Sequence, residues 1–126
     1  MERVVHFEIQ ADDPGRAASF YQEVFGWKVT KWEGPMDYWL VTTGEAPEPG
    51  IDGGITGRQG KVIDDMAVIG YVCTVQVQDV DASVQKAVEA GGTVAVPKTE
   101  IPKVGYTAYL KDTEGNVFGV FRPTNG

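Results

Sequence analysis

Cysteine, histidine, basic residues and long apolar runs are all scarce in this chain of 126 residues. With Cys73 as the single cysteine no internal disulfide can form, and no cysteine cluster exists to hold a metal. His6 is the single histidine, so chemistry near neutral pH has one obvious side chain to use. No run approaches the ~20 apolar residues that span a bilayer, and Met1-Glu2-Arg3 leads straight into a strand pattern, so no signal peptide is expected. The expectation is a cytoplasmic protein without a membrane partner. Lys and Arg number 11 against 18 Asp and Glu, a net charge of -7. Residues 1–58 hold 10 of the acids and 5 of the bases. Nucleic acid needs a basic face, so it is excluded as a partner. The acidity permits a cationic ligand, or serves solubility alone. Phosphate loops and nucleophile–base constellations are missing too.

What the chain does have is a pattern stated twice. VVHFEIQADDPGRAASFYQEVFGW is echoed about 66 residues later by YVCTVQVQDVDASVQKAVEAGGTV, pairing Ala11 with Val77, Asp13 with Asp79 and Gly26 with Gly92. A unit this small cannot bury both faces of its sheet alone, so two copies must share a core. The chain is expected to be one domain: module one about 1–57, a polar linker about 58–67, and module two about 68–126.

Residues 4–11 alternate, with Val5, Phe7 and Ile9 on one face and His6, Glu8 and Gln10 on the other. A period of two is the mark of a strand with one buried face. Asp13-Pro14 supplies an N-cap and a first-turn proline. Ala17, Phe20, Tyr21, Val24 and Phe25 recur at helical spacing, and Gly26 ends the helix. Strands are expected at 27–33, 38–43 and roughly 51–56. The second copy starts near Ile69, where Tyr71, Cys73, Val75 and Val77 oppose Val72, Thr74 and Gln76. Cys73 is expected to be a buried core thiol. Asp79 caps a helix with the stripe Val80, Val84, Ala87 and Val88, stopped by Gly91-Gly92. Strands follow at 93–97, 105–111 and 116–122, the last two joined by the turn Asp112-Thr113-Glu114-Gly115-Asn116. The fold class is α+β: two tandem βαβββ modules forming an open, eight-stranded, barrel-like cleft.

Each helix should cover one face of its sheet, leaving the other to line the cleft. His6, Glu8 and Gln10 then face it from one copy, and Val72, Thr74 and Gln76 from the other. Five of these six are polar or charged, which suits a ligand cavity better than a dry core. Gly53 and Gly119 lie inside strands at matching repeat positions, where glycine marks either a close approach by a ligand or a bulge. Trp32, Tyr38 and Trp39 form an aromatic group; Trp39 is a candidate to cover a flat ligand, and half-burial in the sheet is the alternative. Tyr106 and Tyr109 fall on opposite faces of their strand, so at most one reaches the cleft. Arg122 could meet an anionic group at the rim.

His6, DDPGRAASFYQEVFGW and GYTAYLKDTEGNVFGVFRP together resemble the vicinal oxygen chelate superfamily of glyoxalase I, bleomycin-resistance proteins and extradiol dioxygenases. The last segment looks like that family's "FKDPEGN" hairpin, with Thr113 where proline is common. The resemblance implies the paired-module fold. In the metal enzymes of the family, it also implies a divalent ion held from the first and last strand of each copy. Those positions fall here on His6, Val72, Gly53 and Gly119, of which only His6 has a donor atom. Glu8 shares a face with His6 but starts ~6–7 Å further along the strand. Stable sites take three or four ligands, so no metal and no other cofactor is expected.

The leading functional expectation is a glyoxalase-like protein that binds a small organic molecule in the cleft between the modules. A metal-independent lyase or isomerase using His6 and Glu8 for proton transfer is the second reading. A drug-binding resistance protein of the bleomycin type is the third. Whether the chain is an enzyme is left open, and a homodimer is expected.

Overall fold

The computed structural model describes residues 2–58 and 70–124. The linker expected at about 58–67, Arg58 excepted, and the start of module two near Ile69 lie outside these residues. Two compact units are present, His6–Tyr71 and Met1–Val5 with Val72–Gly126.

The first of these takes β1 (Val4–Ala11) from His6 onward, followed by α1 (Pro14–Phe25), β2 (Lys28–Lys31), β3 (Tyr38–Thr42) and β4 (Gly53–Gly57). The Asp13 carboxylate accepts from the Arg16 N–H, and Pro14 opens the helix. Gly26 closes it at φ 72°, in the left-handed region where glycine has no Cβ penalty. β1 runs parallel to β4, and β3 lies antiparallel between β4 and β2. Phe7, Ile9, Ala11, Ala18, Val41 and Ile55 form the core, with Ala17, Tyr21, Trp27, Val29 and Trp39 packed around it.

The other unit repeats the order with β5 (Val72–Gln76), α2 (Val80–Glu89), β6 (Thr93–Ile101), β7 (Gly105–Lys111) and β8 (Val117–Pro123). Asp79 caps α2 by accepting from the Ala82 N–H. β5 is parallel to β8, while β7 is antiparallel to both β8 and β6. Val77, Val80, Ala108, Leu110 and Val120 make this core, with Val75, Val84 and Ala87 against it. β6 is exposed over nearly its whole length and carries Pro97 where its register with β7 shifts. A proline there removes no ladder bond that an inner strand would need.

The strands lie in the order β2-β3-β4-β1 in the first copy and β5-β8-β7-β6 in the second. With two helices among the described residues this is the expected α+β class with two β-α-β-β-β copies. No helix among those residues is long and apolar enough to cross a membrane.

Two expectations are corrected. Cys73 is exposed, not buried. Its strand face is right, but the core that includes α2 reaches only Val75 and Val77 at the far end of that face. On α1, Ala17, Ala18 and Tyr21 meet the sheet, and Phe20, Val24 and Phe25 are exposed. The apolar arc is wider than one packed face, and the two alanines let the helix approach closest.

Candidate functional site

Alternation along β1 places Phe7 and Ile9 in the core and turns His6, Glu8 and Gln10 to the opposite face. Glu8 is 7% exposed, a buried carboxylate that must be hydrogen-bonded to be tolerated. Tyr38 supplies one partner. Its hydroxyl donates to Glu8 Oε2 at 3.1 Å and stands 2.7 Å from His6 Nε2. Gln10 Nε2 reaches Glu8 Oε1 at 3.4 Å. The His6 and Tyr38 rings are nearly parallel, 6.4 Å between centroids, and Trp32 meets Tyr38 edge-on at 6.5 Å. Burial lowers the His6 pKa below its ordinary 6.5, while the charges of Glu8 and Asp52 oppose that shift. The arrangement is a short polar relay, imidazole to phenol to carboxylate, held on one strand face.

The sequence groups Tyr38 with Trp32 and Trp39 as aromatics and makes Trp39 the candidate ligand contact. The ladder decides otherwise. Trp39 pairs with Ile55, which pairs with Ile9, so Trp39 sits on the helix side against the core. One residue along, Tyr38 pairs with Thr56, which pairs with Gln10 on the polar face. The period of two makes the two neighbours exclusive, and a signal was available in the alternation of β3 itself.

Gly53 is corrected in the same way. It pairs with Phe7, and a Cβ there would strike the Phe7 carbonyl and ring on the core side. Gly54 pairs with Glu8, and its missing Cβ is where the Tyr38 ring and hydroxyl lie. The repeat offset therefore slips by one residue at the last strand. In the other unit Gly119 pairs with Thr74. A Cβ there would meet Thr74 Oγ1 at 3.1 Å and the Tyr109 ring at 3.3 Å. Gly54 and Gly119 thus each make room for a tyrosine of the same unit.

Thr74 is buried, Val72 half-buried and Gln76 exposed on β5. Tyr109 shares the Thr74 face, while Tyr106 packs toward the core, so one of the two tyrosines is on the predicted face. Arg122 is exposed and pairs with Tyr106. It lines a concavity of about 450 Å³ with Gln78, Lys98 and Tyr106, away from Thr74's face. A second concavity of about 480 Å³ lies at the start of α1, walled by Gln10, Asp12, Arg16, Phe20 and Arg58. Neither contains His6 or Glu8, so the relay is defined by its bonding and not by these hollows.

The donor set does not fit the family's metal. Val72, Gly54 and Gly119 have no donor atom, and the two groups on β1 are bridged by a phenol instead of converging on a cation. Among the described residues no three His, Cys, Asp or Glu side chains are grouped to hold an ion.

Comparison with known proteins matches residues 3–120 to the family model described as Glyoxalase/Bleomycin resistance protein/Dioxygenase superfamily. Proteins named as candidate glyoxylases, CFP32, from Mycobacterium bovis and Mycobacterium tuberculosis are 29% identical over 126 residues. The match covers 92% of this chain and 42% of each of those relatives, so the chain spans about two fifths of their length. Among solved structures, methylmalonyl-CoA epimerase from Mycobacterium tuberculosis superposes with a TM-score of 0.65 at 15% identity, over 96% of this chain and 87% of that one. A glyoxalase/bleomycin resistance protein/dioxygenase superfamily member from Vibrio splendidus 12B01 gives 0.62 at 19% identity, over 97% and 99%.

Proposed function

The chain belongs to the Glyoxalase/Bleomycin resistance protein/Dioxygenase superfamily, and from that premise we propose that it binds a small organic molecule at the polar face of β1, without a metal ion. The observation that carries this reading is the His6–Tyr38–Glu8–Gln10 relay. A buried carboxylate serviced by a phenol, an amide and an imidazole is costly to build, since each member must find a partner. A core with no ligand to meet would be more stable filled with apolar side chains. The ligand that suits it has a hydrogen-bonding group for His6 and an apolar or aromatic body for Trp32.

The relay also favours proton transfer over storage of a drug. A histidine with a lowered pKa is neutral at physiological pH and ready to accept a proton. Under this second reading the protein is a lyase or isomerase, with His6 as base and Glu8 as the charge behind it.

A thermal-shift screen of small carboxylic acids, α-hydroxyketones, aromatic amines and bleomycin tests binding, repeated with His6→Ala. Binding that requires His6 supports the proposal; ligands that stabilise the variant equally defeat it. Turnover of a bound compound by the wild type and not by His6→Ala separates catalysis from sequestration. A homodimer and a cytoplasmic location belong to the same proposal. The exposed Phe20, Val24 and Phe25 of α1 support association, and light scattering that gives the mass of one chain would refute it.

A further inference from the structure

We infer that the single imidazole is held as one tautomer, with its hydrogen on Nε2, so that Nδ1 is the atom that accepts a proton at this face. Tyr38 and Glu8 are then positioning residues: neither touches the ligand, and together they decide which nitrogen of His6 is basic. The tautomer follows from the bonding alone. What it acts on rests on the proposed function.

A carboxylate only accepts hydrogen bonds. Both oxygens of Glu8 accept: Oε1 from Gln10 and Oε2 from Tyr38. A phenol has one hydrogen, and the Glu8 carboxylate, which has none to give, takes it. The Tyr38 oxygen can therefore meet His6 Nε2, 2.7 Å away, only through a lone pair. That nitrogen must supply the hydrogen, and a neutral imidazole has only one. Nδ1 is left with its lone pair. The hydrogen bond made by one ring nitrogen thus sets the chemistry of the other.

The geometry at Gly54 keeps this polarity in place. Any Cβ at that position would occupy the site of the Tyr38 ring and hydroxyl, so the phenol can reach between the two β1 side chains only above a glycine. When a proton arrives at Nδ1, the imidazolium formed keeps its Nε2–H on Tyr38, and the Glu8 charge stabilises it through the phenol. The ligand loses that proton and becomes its conjugate anion, and no bond within the protein breaks. The substrate class is a molecule with a removable proton facing Nδ1: an O–H, an N–H, or a C–H beside a carbonyl.

Because His6 is the only histidine, ¹⁵N-labelled full-length protein without a histidine tag shows one imidazole. Its two-bond ¹H–¹⁵N spectrum at pH 8, with no ligand added, is expected to show the Nε2–H pattern alone. Tyr38→Phe should lose that pattern and average the two nitrogens. Glu8→Gln, whose amide oxygen still accepts from Tyr38, should keep it. The backbone amide spectrum of each variant reports whether it has folded; should Tyr38→Phe fail to fold, Gly54→Ala displaces the same phenol and is expected to average the nitrogens likewise. An Nδ1–H pattern in the wild type, or a spectrum that neither Tyr38→Phe nor Gly54→Ala changes, overturns the inference. A screen that finds no ligand would sink the proposed function and leave the tautomer standing, so the two failures are distinguishable.

Discussion

Two adjacent glycines in β4 have opposite surroundings, and a methyl group at each reports a different thing. At Gly53 the added carbon meets the Phe7 carbonyl, which belongs to a paired strand and cannot move away cheaply. Gly53→Ala should cost roughly 1–3 kcal/mol, the range for overpacking a closed core. At Gly54 the carbon meets the ring and hydroxyl of Tyr38, which can swing outward. Gly54→Ala should cost less stability while breaking the bonds to His6 and Glu8. Denaturant unfolding of both variants checks the order, and equal losses would contradict the placement of Tyr38. His6 provides a pH test at the same scale. Its folded pKa lies below the ordinary 6.5, so the folded state binds the proton more weakly than the unfolded state. Its contribution to stability is complete above that value and is lost as the pH falls below it. The melting temperature should drop from pH 8 to pH 5 as His6, with Glu8, Asp52 and the Tyr38 phenol around its ring, takes up a proton. His6→Gln should flatten that part of the curve, which the wild type measured in parallel would reveal.

For the helices and strands, what could be read in advance depended on how many faces each pattern left open. Asp13-Pro14 and Gly26 marked both ends of α1, and the structure agrees. Its buried side is narrower than its apolar stripe, because six apolar positions span more of the helix than the sheet can cover. Ala18, 3% exposed, is the closest contact. Ala18→Leu should therefore destabilise by about 1–3 kcal/mol, whereas Phe20→Ser, at a position 56% exposed, should change stability by about 0.5 kcal/mol or less. Thermal unfolding compares the pair, and the reverse order would restore the stripe expected from the sequence. β5 shows the same gap between pattern and outcome. Cys73 alternates with apolar residues as a core position would, yet it is exposed because the packing against α2 stops at Val75. A thiol reagent added to the native protein should modify one group per chain without denaturant. Protection until unfolding would show that the thiol is covered.

At the scale of the whole molecule, the donor set is the clearest departure from the metal enzymes the chain resembles. Dialysis against a strong chelator should leave the melting temperature unchanged, and untagged protein should hold far less than one transition metal ion per chain by elemental analysis. A stoichiometric metal would refute the reading of Val72, Gly54 and Gly119. The sequence by itself determined the repeat, the α+β class, the caps of both helices and the alternation that turns His6, Glu8 and Gln10 to one face, because each of these is local: a period, a cap or a turn is complete within a few residues. Only the tertiary structure decided that Gly54 stands where Gly53 was expected, that Tyr38 displaces Trp39 from the site, and that its hydroxyl bridges an imidazole and a carboxylate. Register between strands depends on where distant segments meet, and a slip of one residue exchanges the two faces of a strand.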